Sequence, residues 1–219
     1  MRELTVEMAG HKLLLLADKA LYWPSRKLLC LADVHFGKAA AYRAWGQPVP
    51  QGTTAANLLR LDSLLTRYPI NQVMFLGDFL HAPRSHAPVT LAALHEWRQR
   101  HRALACKLVR GNHDIRAGDP PASLEIEVVN EPLFMLPFAL RHMPIPLAGY
   151  HVIAGHLHPV FHLHGRGRQR LRLCCFHSTD DLTVLPAFGD FTGGHVVEKT
   201  PGSRIVVTDG SGVWSVGAP

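Results

Sequence analysis

The chain has 219 residues, with 23 Lys and Arg against 17 Asp and Glu, a formal net charge of +6 and an isoelectric point near 9.4. Hydrophobic residues make up 47% and charged residues 18%, the mix of a chain with a sizeable core, which excludes a disordered or collagen-like protein. No apolar run approaches the roughly 20 residues of a membrane helix. Met1-Arg2-Glu3 leads into an alternating stretch instead of the apolar core of a signal peptide, so a cytoplasmic protein with no membrane association is expected.

Short β segments are read at Leu4–Met8, Leu13–Leu16 and Ala20–Trp23, then a buried strand at Lys27–Ala32. Thr53–Tyr68 reads as an amphipathic helix, with Thr53 or Thr54 as its N-cap and Leu58, Leu61 and Leu65 on one face. A strand at Gln72–Leu76, a helix from Val89 to His101 and a strand at Ala103–Val109 continue the alternation. From there the pattern is β: Leu124–Val129, Pro137–Arg141, His151–Ala154, Val160–His164, Leu171–Phe176, Thr183–Leu185, Ile205–Thr208 and Val213–Val216. No repeat or linker divides the chain. A single α/β domain spanning residues 1–219, with two packed sheets, is therefore expected. Cys30, Cys106, Cys174 and Cys175 show no CxxC spacing and read as reduced, small hydrophobic residues.

Histidine is abundant, at 15 residues, and its placement is informative. Five polar segments each follow an expected strand: Asp33-Val34-His35, Gly77-Asp78, Gly111-Asn112-His113-Asp114, His142, and Gly155-His156-Leu157-His158. In open α/β sheets ligands gather beyond the carboxyl ends of strands. Asp33 and His35 are two apart, as are His156 and His158, so an extended backbone would turn each pair to one side. Taken singly, a Gly-Asp is usually a turn and a His-x-His an exposed strand face. All five together, each after a strand, demand a common reason.

Two Asp, one Asn and four His offer hard oxygens and imidazoles without thiolate, a set that suits Mn, Fe, Zn or a related divalent ion. Seven donors exceed one tetrahedral site and fit two ions sharing a bridging carboxylate, as in two-metal phosphoryl chemistry. Two such ions outweigh Asp33 and Asp78, leaving a net positive site for a phosphate ester. A bridging water acidified by both would be hydroxide near neutral pH, placed to attack phosphorus in line.

In this order the segments resemble the calcineurin-like binuclear metallophosphoesterases, whose pattern is D-x-H, GD, GNH[DE], H and GHxH. The resemblance implies the metallophosphoesterase fold, two packed mixed β-sheets flanked by helices. It implies Asp33, His35, Asp78 and His158 as ligands of one metal, and Asp78, Asn112, His142 and His156 as ligands of the other. His113 would assist the leaving group, with Asp114 holding its ring. His151 competes with His142 for its place, but it opens a strand where His142 ends one.

Flanking segments are similar to the bacterial ligase-associated DNA damage response endonucleases of this superfamily. They are Ala20-Leu21-Tyr22-Trp23-Pro24, Leu31–Ala39, Val49–Thr54, Gly77–Ala82 and Leu185-Pro186-Ala187-Phe188-Gly189. That resemblance implies a Mn²⁺-dependent nuclease nicking single-stranded DNA in DNA repair, in a gene setting with a DNA ligase, a helicase and an exonuclease.

Lys38 and His81 follow site segments and are candidates for substrate phosphate. Arg166, Arg168, Arg170 and Arg172 alternate and would line one face of an extended stretch, with His162 and His164, although Gly165 and Gly167 suggest a hairpin tip there. Arg98–Arg102 ends a helix, where basic residues complement the dipole. Two rival readings stand: a metallophosphoesterase on a small nucleotide or pyrophosphate, and a scaffold that keeps the fold without catalysis. The oligomeric state stays open, a homodimer included.

Overall fold

The structure is a computed structural model that describes residues 1–49, 52–165 and 167–217. It opens with strands β1 (Glu3–Met8), β2 (His11–Leu16) and β3 (Ala20–Trp23), antiparallel to one another, and β4 (Leu28–Ala32) joins β3 antiparallel. After helices α1 (Lys38–Ala44) and α2 (Thr53–Arg67) comes β5 (Gln72–Leu76). Helix α3 (Pro88–Arg100) precedes β6 (Ala105–Val109), and α4 (Asn112–Ala117) precedes β7 (Glu127–Val129). β4 to β7 are parallel, so the first sheet is mixed, seven-stranded and in chain order.

The second sheet contains β8 (Leu133–Met135), β9 (Phe138–Leu140), β10 (His151–Ala154), β11 (Pro159–His164), β12 (Arg170–Ser178), β13 (Leu182–Val184), β14 (His195–Val196), β15 (Arg204–Thr208) and β16 (Val213–Val216). Its order is β14-β11-β12-β13-β10-β9-β8, with β15 and β16 continuing from the second half of β12. β9, β10 and β13 are mutually parallel and the hairpins antiparallel, so this sheet is mixed as well.

The period-2 alternation of the strands builds two cores at once. In β4, Leu28, Cys30 and Ala32 face the second sheet, while Leu29 and Leu31 face the helices. β5 repeats this with Met74 and Leu76 on one side and Val73 and Phe75 on the other. Phe138, Leu140, Ile153, Phe176 and Val206 close the inter-sheet core. On the helical side, α2 supplies Leu58, Leu61 and Leu64, and α3 supplies Leu94 and Trp97.

Two packed mixed sheets with flanking helices are found as expected; the helices lie on the side of the first sheet, and among the described residues the clusters outside the second sheet contain no helical residue. Three expectations need correction. Neither Thr53 nor Thr54 caps α2. Gly52 takes that place at φ +87°, and the Thr54 hydroxyl instead accepts a bond from the Gly37 N–H at 3.2 Å. The strand expected from Leu124 begins only at Glu127, because Ala122–Leu124 closes a 3₁₀ turn ending in left-handed Glu125. Finally, α1, α4, β8 and β14 lie where no element was expected. Among the described residues no helix is long and apolar enough to cross a membrane.

Candidate metal centre

The carboxyl ends of β4, β5 and β6 in one sheet meet those of β9 and β10 in the other. At this edge Ala32 and Ala187 form a parallel bridge between the sheets. Asp33 follows β4, Gly77-Asp78 follow β5, Asn112 opens α4 after β6, His142 follows β9, and Gly155-His156 follow β10. Strand ends that converge place chemically useful side chains together without burying loop backbone.

The loops are not extended. Asp33, His35, Asp78, His156 and His158 have φ of +53°, +46°, +53°, +72° and +49°. Alternation of left-handed residues with ordinary ones, not an extended strand, aims each pair inward; this corrects the expected reason for their common side. Such φ values are uncommon outside Gly and cost energy that the surroundings must offset. Here backbone bonds between loops do so. His35 N–H donates to the Asp78 carbonyl at 2.9 Å and Phe36 N–H to that of Phe79 at 2.8 Å. His156 N–H donates to Asp33 Oδ2 at 2.9 Å, and His113 N–H to Asp78 Oδ1 at 2.9 Å.

Two groups of donor atoms share Asp78. Ligand atoms of Asp33, His35, Asp78 and His158 all lie within 4.8 Å of one another. His158 Nε2 is 3.4 Å from Asp33 Oδ1, and His35 Nε2 is 3.7 Å from Asp78 Oδ2. On the other side, His142 Nε2 is 2.8 Å from Asn112 Oδ1, 3.0 Å from His156 Nδ1 and 3.5 Å from Asp78 Oδ1. Asp33 Oδ1, His35 Nδ1 and His158 Nε2 are buried without a hydrogen-bond partner. Buried polar atoms left unpaired are costly. Asp33 Oδ1 and His158 Nε2 face each other at a distance that fits a divalent cation beside them, and His35 turns its other nitrogen, Nε2, toward Asp78.

The electrostatics prepare these donors. Burial first, and then the Lys38 ammonium, holds His35 well below the ordinary imidazole range. Burial, followed by His142, lowers His156 as well. Burial thus favours the neutral form of both rings, the form that binds metal. His142 Nδ1 donates to the Leu76 carbonyl at 3.1 Å, which selects the tautomer with the Nε2 lone pair pointing into the site. The Glu131 carboxylate accepts the His142 and Met143 N–H bonds at 2.7 and 2.9 Å and so fixes that loop. Glu131 was not a sequence candidate; nothing local marks it, because its partners lie eleven and twelve residues on.

His113 stands at the mouth of the site, with Nε2 3.9 Å from Asp78 Oδ2. Its Nδ1 is bonded to the His81 carbonyl at 2.8 Å. Asp114 therefore does not hold the ring, contrary to expectation. Its carboxylate is turned the other way, accepting N–H bonds from Asp78, Gly111, Phe79 and Leu80 at 2.8, 2.8, 2.9 and 3.3 Å. It staples the Gly-Asp loop to the start of α4, and burial pushes its carboxyl up to about 6 despite those four donors.

Lys38 is buried at the start of α1, and burial lowers its pKa against the opposing pull of the Asp78 and Asp33 carboxylates. The His81 ring stacks on His113, and burial with the nearby Lys38 charge brings its pKa down to about 4. His151 is elsewhere, buried and bonded to the Asp180 carbonyl and the Thr183 hydroxyl at 3.0 and 2.9 Å.

Of the arginine ladder, Arg166 lies outside the described residues and Arg168 sits in the hairpin turn, which breaks the alternation. Arg170 and Arg172 are exposed on β12, opposite His164 and His162 of β11. Arg98 is a structural residue, donating to the carbonyls of Leu124 at 3.0 Å and of His101. The Leu185–Gly189 segment, notable in sequence only as a resemblance, braces the Asp33 loop. Phe188 and Gly189 N–H groups donate to the Ala32 and Asp33 carbonyls at 2.8 and 3.1 Å. A Cβ on Gly189 would lie 3.0 Å from the Asp33 carbonyl oxygen and closer to that of Val34.

The family model for calcineurin-like phosphoesterase matches residues 26–186. The chain belongs to this family of metal-dependent phosphoester hydrolases. Over 98% of its length it is similar to the crystal structure of the Pseudomonas putida nuclease MPE, with 49% identity, all of that chain covered and a TM-score of 0.87. More distant are a protein of unknown function, AQ665 from Aquifex aeolicus, and the phosphoesterase YfcE from E. coli. AQ665 has 18% identity, coverage of 64% of this chain and 82% of that one, and a TM-score of 0.41. For YfcE the figures are 15%, 86%, 97% and 0.42. No curated protein matches.

Proposed function

We propose that the chain is a two-metal phosphodiesterase that cuts single-stranded DNA internally, with Mn²⁺ as its working ion. The observation that carries this is Asp78, whose two carboxylate oxygens face two separate groups of donors, Oδ2 toward His35 and Oδ1 toward His142. Asp33, His35, Asp78 and His158 would hold one ion, and Asp78, Asn112, His142 and His156 the other. The oxygen and imidazole donors, with no thiolate, suit Mn²⁺. Bound there, two divalent ions supply positive charge for a phosphate and acidify water.

The chain's own residues do the rest. His113 directs Nε2 to the mouth, and its Nδ1–H bond to the His81 carbonyl orients the ring. With Nε2 protonated as well, the imidazolium gives that proton to the leaving oxygen and returns to the neutral Nδ1–H form. Lys38 adds a fixed positive charge beside Asp33 and Asp78. Asn112 places Oδ1 against His142 and is held by the first turn of α4.

A polyanionic strand is supported by the +6 net charge and by the exposed Arg170 and Arg172 on β12. The Arg172 guanidinium reaches the rim of the site over Gly194. A Cβ on Gly194 would lie 3.1 Å from the His158 carbonyl oxygen and closer still to Arg172 Nη2. The similarity to a nuclease supports the same substrate class. A place in DNA repair beside a ligase, a helicase and an exonuclease goes with this reading.

The test is incubation of closed circular single-stranded DNA with the protein and Mn²⁺, beside an Asp78→Ala control. A circle has no ends, so linear product arises only from internal cutting. Cutting by wild type and none by the variant is expected. An intact circle, with a small phosphodiester hydrolysed under the same conditions, would sink the DNA assignment and leave the two-metal chemistry.

A further inference from the structure

Aromatic side chains beside the site form a continuous file. His113 stacks on His81 with ring centroids 5.0 Å apart and planes 22° apart, and His81 stacks on Tyr42 at 5.6 Å and 20°. Tyr42 then meets Trp45 edge-on, at 5.6 Å and 86°. One end of the file is the imidazole at the mouth of the site. The other end is an indole that is 51% exposed.

The indole is held on a fixed support. Trp45 ends α1, its N–H bonded to the carbonyls of Ala41 and Tyr42 at 3.2 and 3.0 Å. Arg84 donates to the Ala44 carbonyl at 2.7 Å, and Gly37, just before the helix, packs so closely on Ser85 that a Cβ there would be 2.7 Å from the Ser85 Cβ. The same helix carries Lys38 at its first position, facing the metal-site carboxylates. A braced, half-exposed aromatic at the end of a ring stack, on a helix whose start holds a cation at the phosphate site, is the arrangement used by proteins that grip single strands. There, cations track the backbone and rings stack on bases.

We propose that Trp45, backed by Tyr42, is the stacking platform for a nucleobase flanking the scissile phosphate. This rests on the reading of the chain as a nuclease for single-stranded DNA. It adds the reason for strand selectivity: a base in a duplex already has both faces covered by its neighbours, whereas an unpaired base offers one to the indole. Because every base has a π face, the platform selects unpaired strands without selecting sequence.

The test uses the full-length protein with Mn²⁺ and an end-labelled single-stranded oligonucleotide carrying one abasic residue. Wild type should give a ladder of cuts with a minimum at a fixed offset from the abasic residue, where the missing base should have stacked. Trp45→Ala should lose the minimum and bind the base-intact strand about 5- to 150-fold more weakly, the range for one base–aromatic stack. Trp45→Phe should restore most of both.

Hydrolysis of a small dialkyl phosphodiester, which has no ring to stack, should be unchanged in all variants and shows that each is folded. If the minimum persists in Trp45→Ala, or wild type shows none, the platform falls while the nuclease reading stands. If wild type hydrolyses the dialkyl ester and leaves the oligonucleotide whole, the nuclease reading falls and takes the platform with it.

Discussion

Gly77→Ala separates backbone strain from crowding of a proposed ligand. Gly77 has φ +79°, and a Cβ built there would lie 2.8 Å from the His142 Cβ and closer still to its Nδ1 and Cγ. Comfortable carbon contacts are about 3.5–4 Å, so the imidazole must move by on the order of 1 Å. It has nowhere to go, being 1% exposed and tied through Nδ1 to the Leu76 carbonyl. The left-handed conformation costs an alanine about 1–2 kcal/mol, and overpacking a filled site about 1–3 kcal/mol more. A total of roughly 2–5 kcal/mol follows, or about 4–20 °C in Tm for a chain of this size.

Gly10→Ala is the control, because Gly10 has φ +76° and a Cβ placed on it would meet nothing within 4 Å, so it carries the strain alone. Scanning calorimetry on both variants isolates the clash as their difference. Elemental analysis should find about two ions per wild-type chain and about one in Gly77→Ala, since only the His142 side is disturbed. A Gly77→Ala protein as stable as Gly10→Ala, and still holding both ions, would refute the proposed crowding of His142.

Asp114→Ala should cost stability before chemistry: it strips the acceptor from four buried backbone N–H groups, at about 1 kcal/mol each. A drop of roughly 3–4 kcal/mol in urea unfolding is expected; a fall in kcat alone, with stability intact, would restore Asp114 to the ring-orienting role. Replacing Arg170 and Arg172 by Ala should weaken binding to single-stranded DNA and flatten the log–log salt dependence by about 0.7 for each phosphate no longer neutralised. An unchanged slope removes them from the DNA path. Stripping divalent ions with a chelator should lower Tm by on the order of 10 °C, because each ion held at about a hundred times its Kd contributes about 2.7 kcal/mol to the folded state. No shift on chelation would mean that the facing donors stand unpaired by choice of the fold.

The segments that make the site were legible in sequence because each follows an apolar strand and uses residue types with few other reasons to cluster. Strands such as β4 and β5 were legible for the same cause, as runs of core residues ended by Asp or Gly. What could not be seen was the backbone. Positive φ at His35 goes with its N–H bond to Asp78, forty-odd residues on, and that at Asp33 with bonds from His156 and Gly189, farther still in sequence. α4 was hidden because its cap is a Gly111–Asp114 pair within a motif already read as chemistry. α1 was hidden because Lys38–Ala44 is rich in alanine and shows no apolar periodicity. The Asp114 carboxylate was misassigned by analogy with carboxylates that orient a catalytic imidazole; the four N–H groups that claim it are invisible until the loops are folded.

Those same loops explain why the site can hold so many unpaired donors. Gly111 and Gly155 lie where a Cβ would come within 2.6 Å of Asp78 or Asp33 atoms, so their loops pack backbone against carboxylate with no side chain between. Asp33 and Asp78 each commit one oxygen to a backbone N–H, from His156 and His113 respectively, which fixes the carboxylate plane with the remaining lone pairs turned inward. Rigid placement by backbone costs no side-chain ordering when an ion arrives. That cost was met during folding, by the left-handed residues and the orphaned atoms. Ion binding therefore satisfies atoms already left unpaired instead of assembling a site, the left-handed backbone stays as it is, and both ions should bind without a change in backbone conformation.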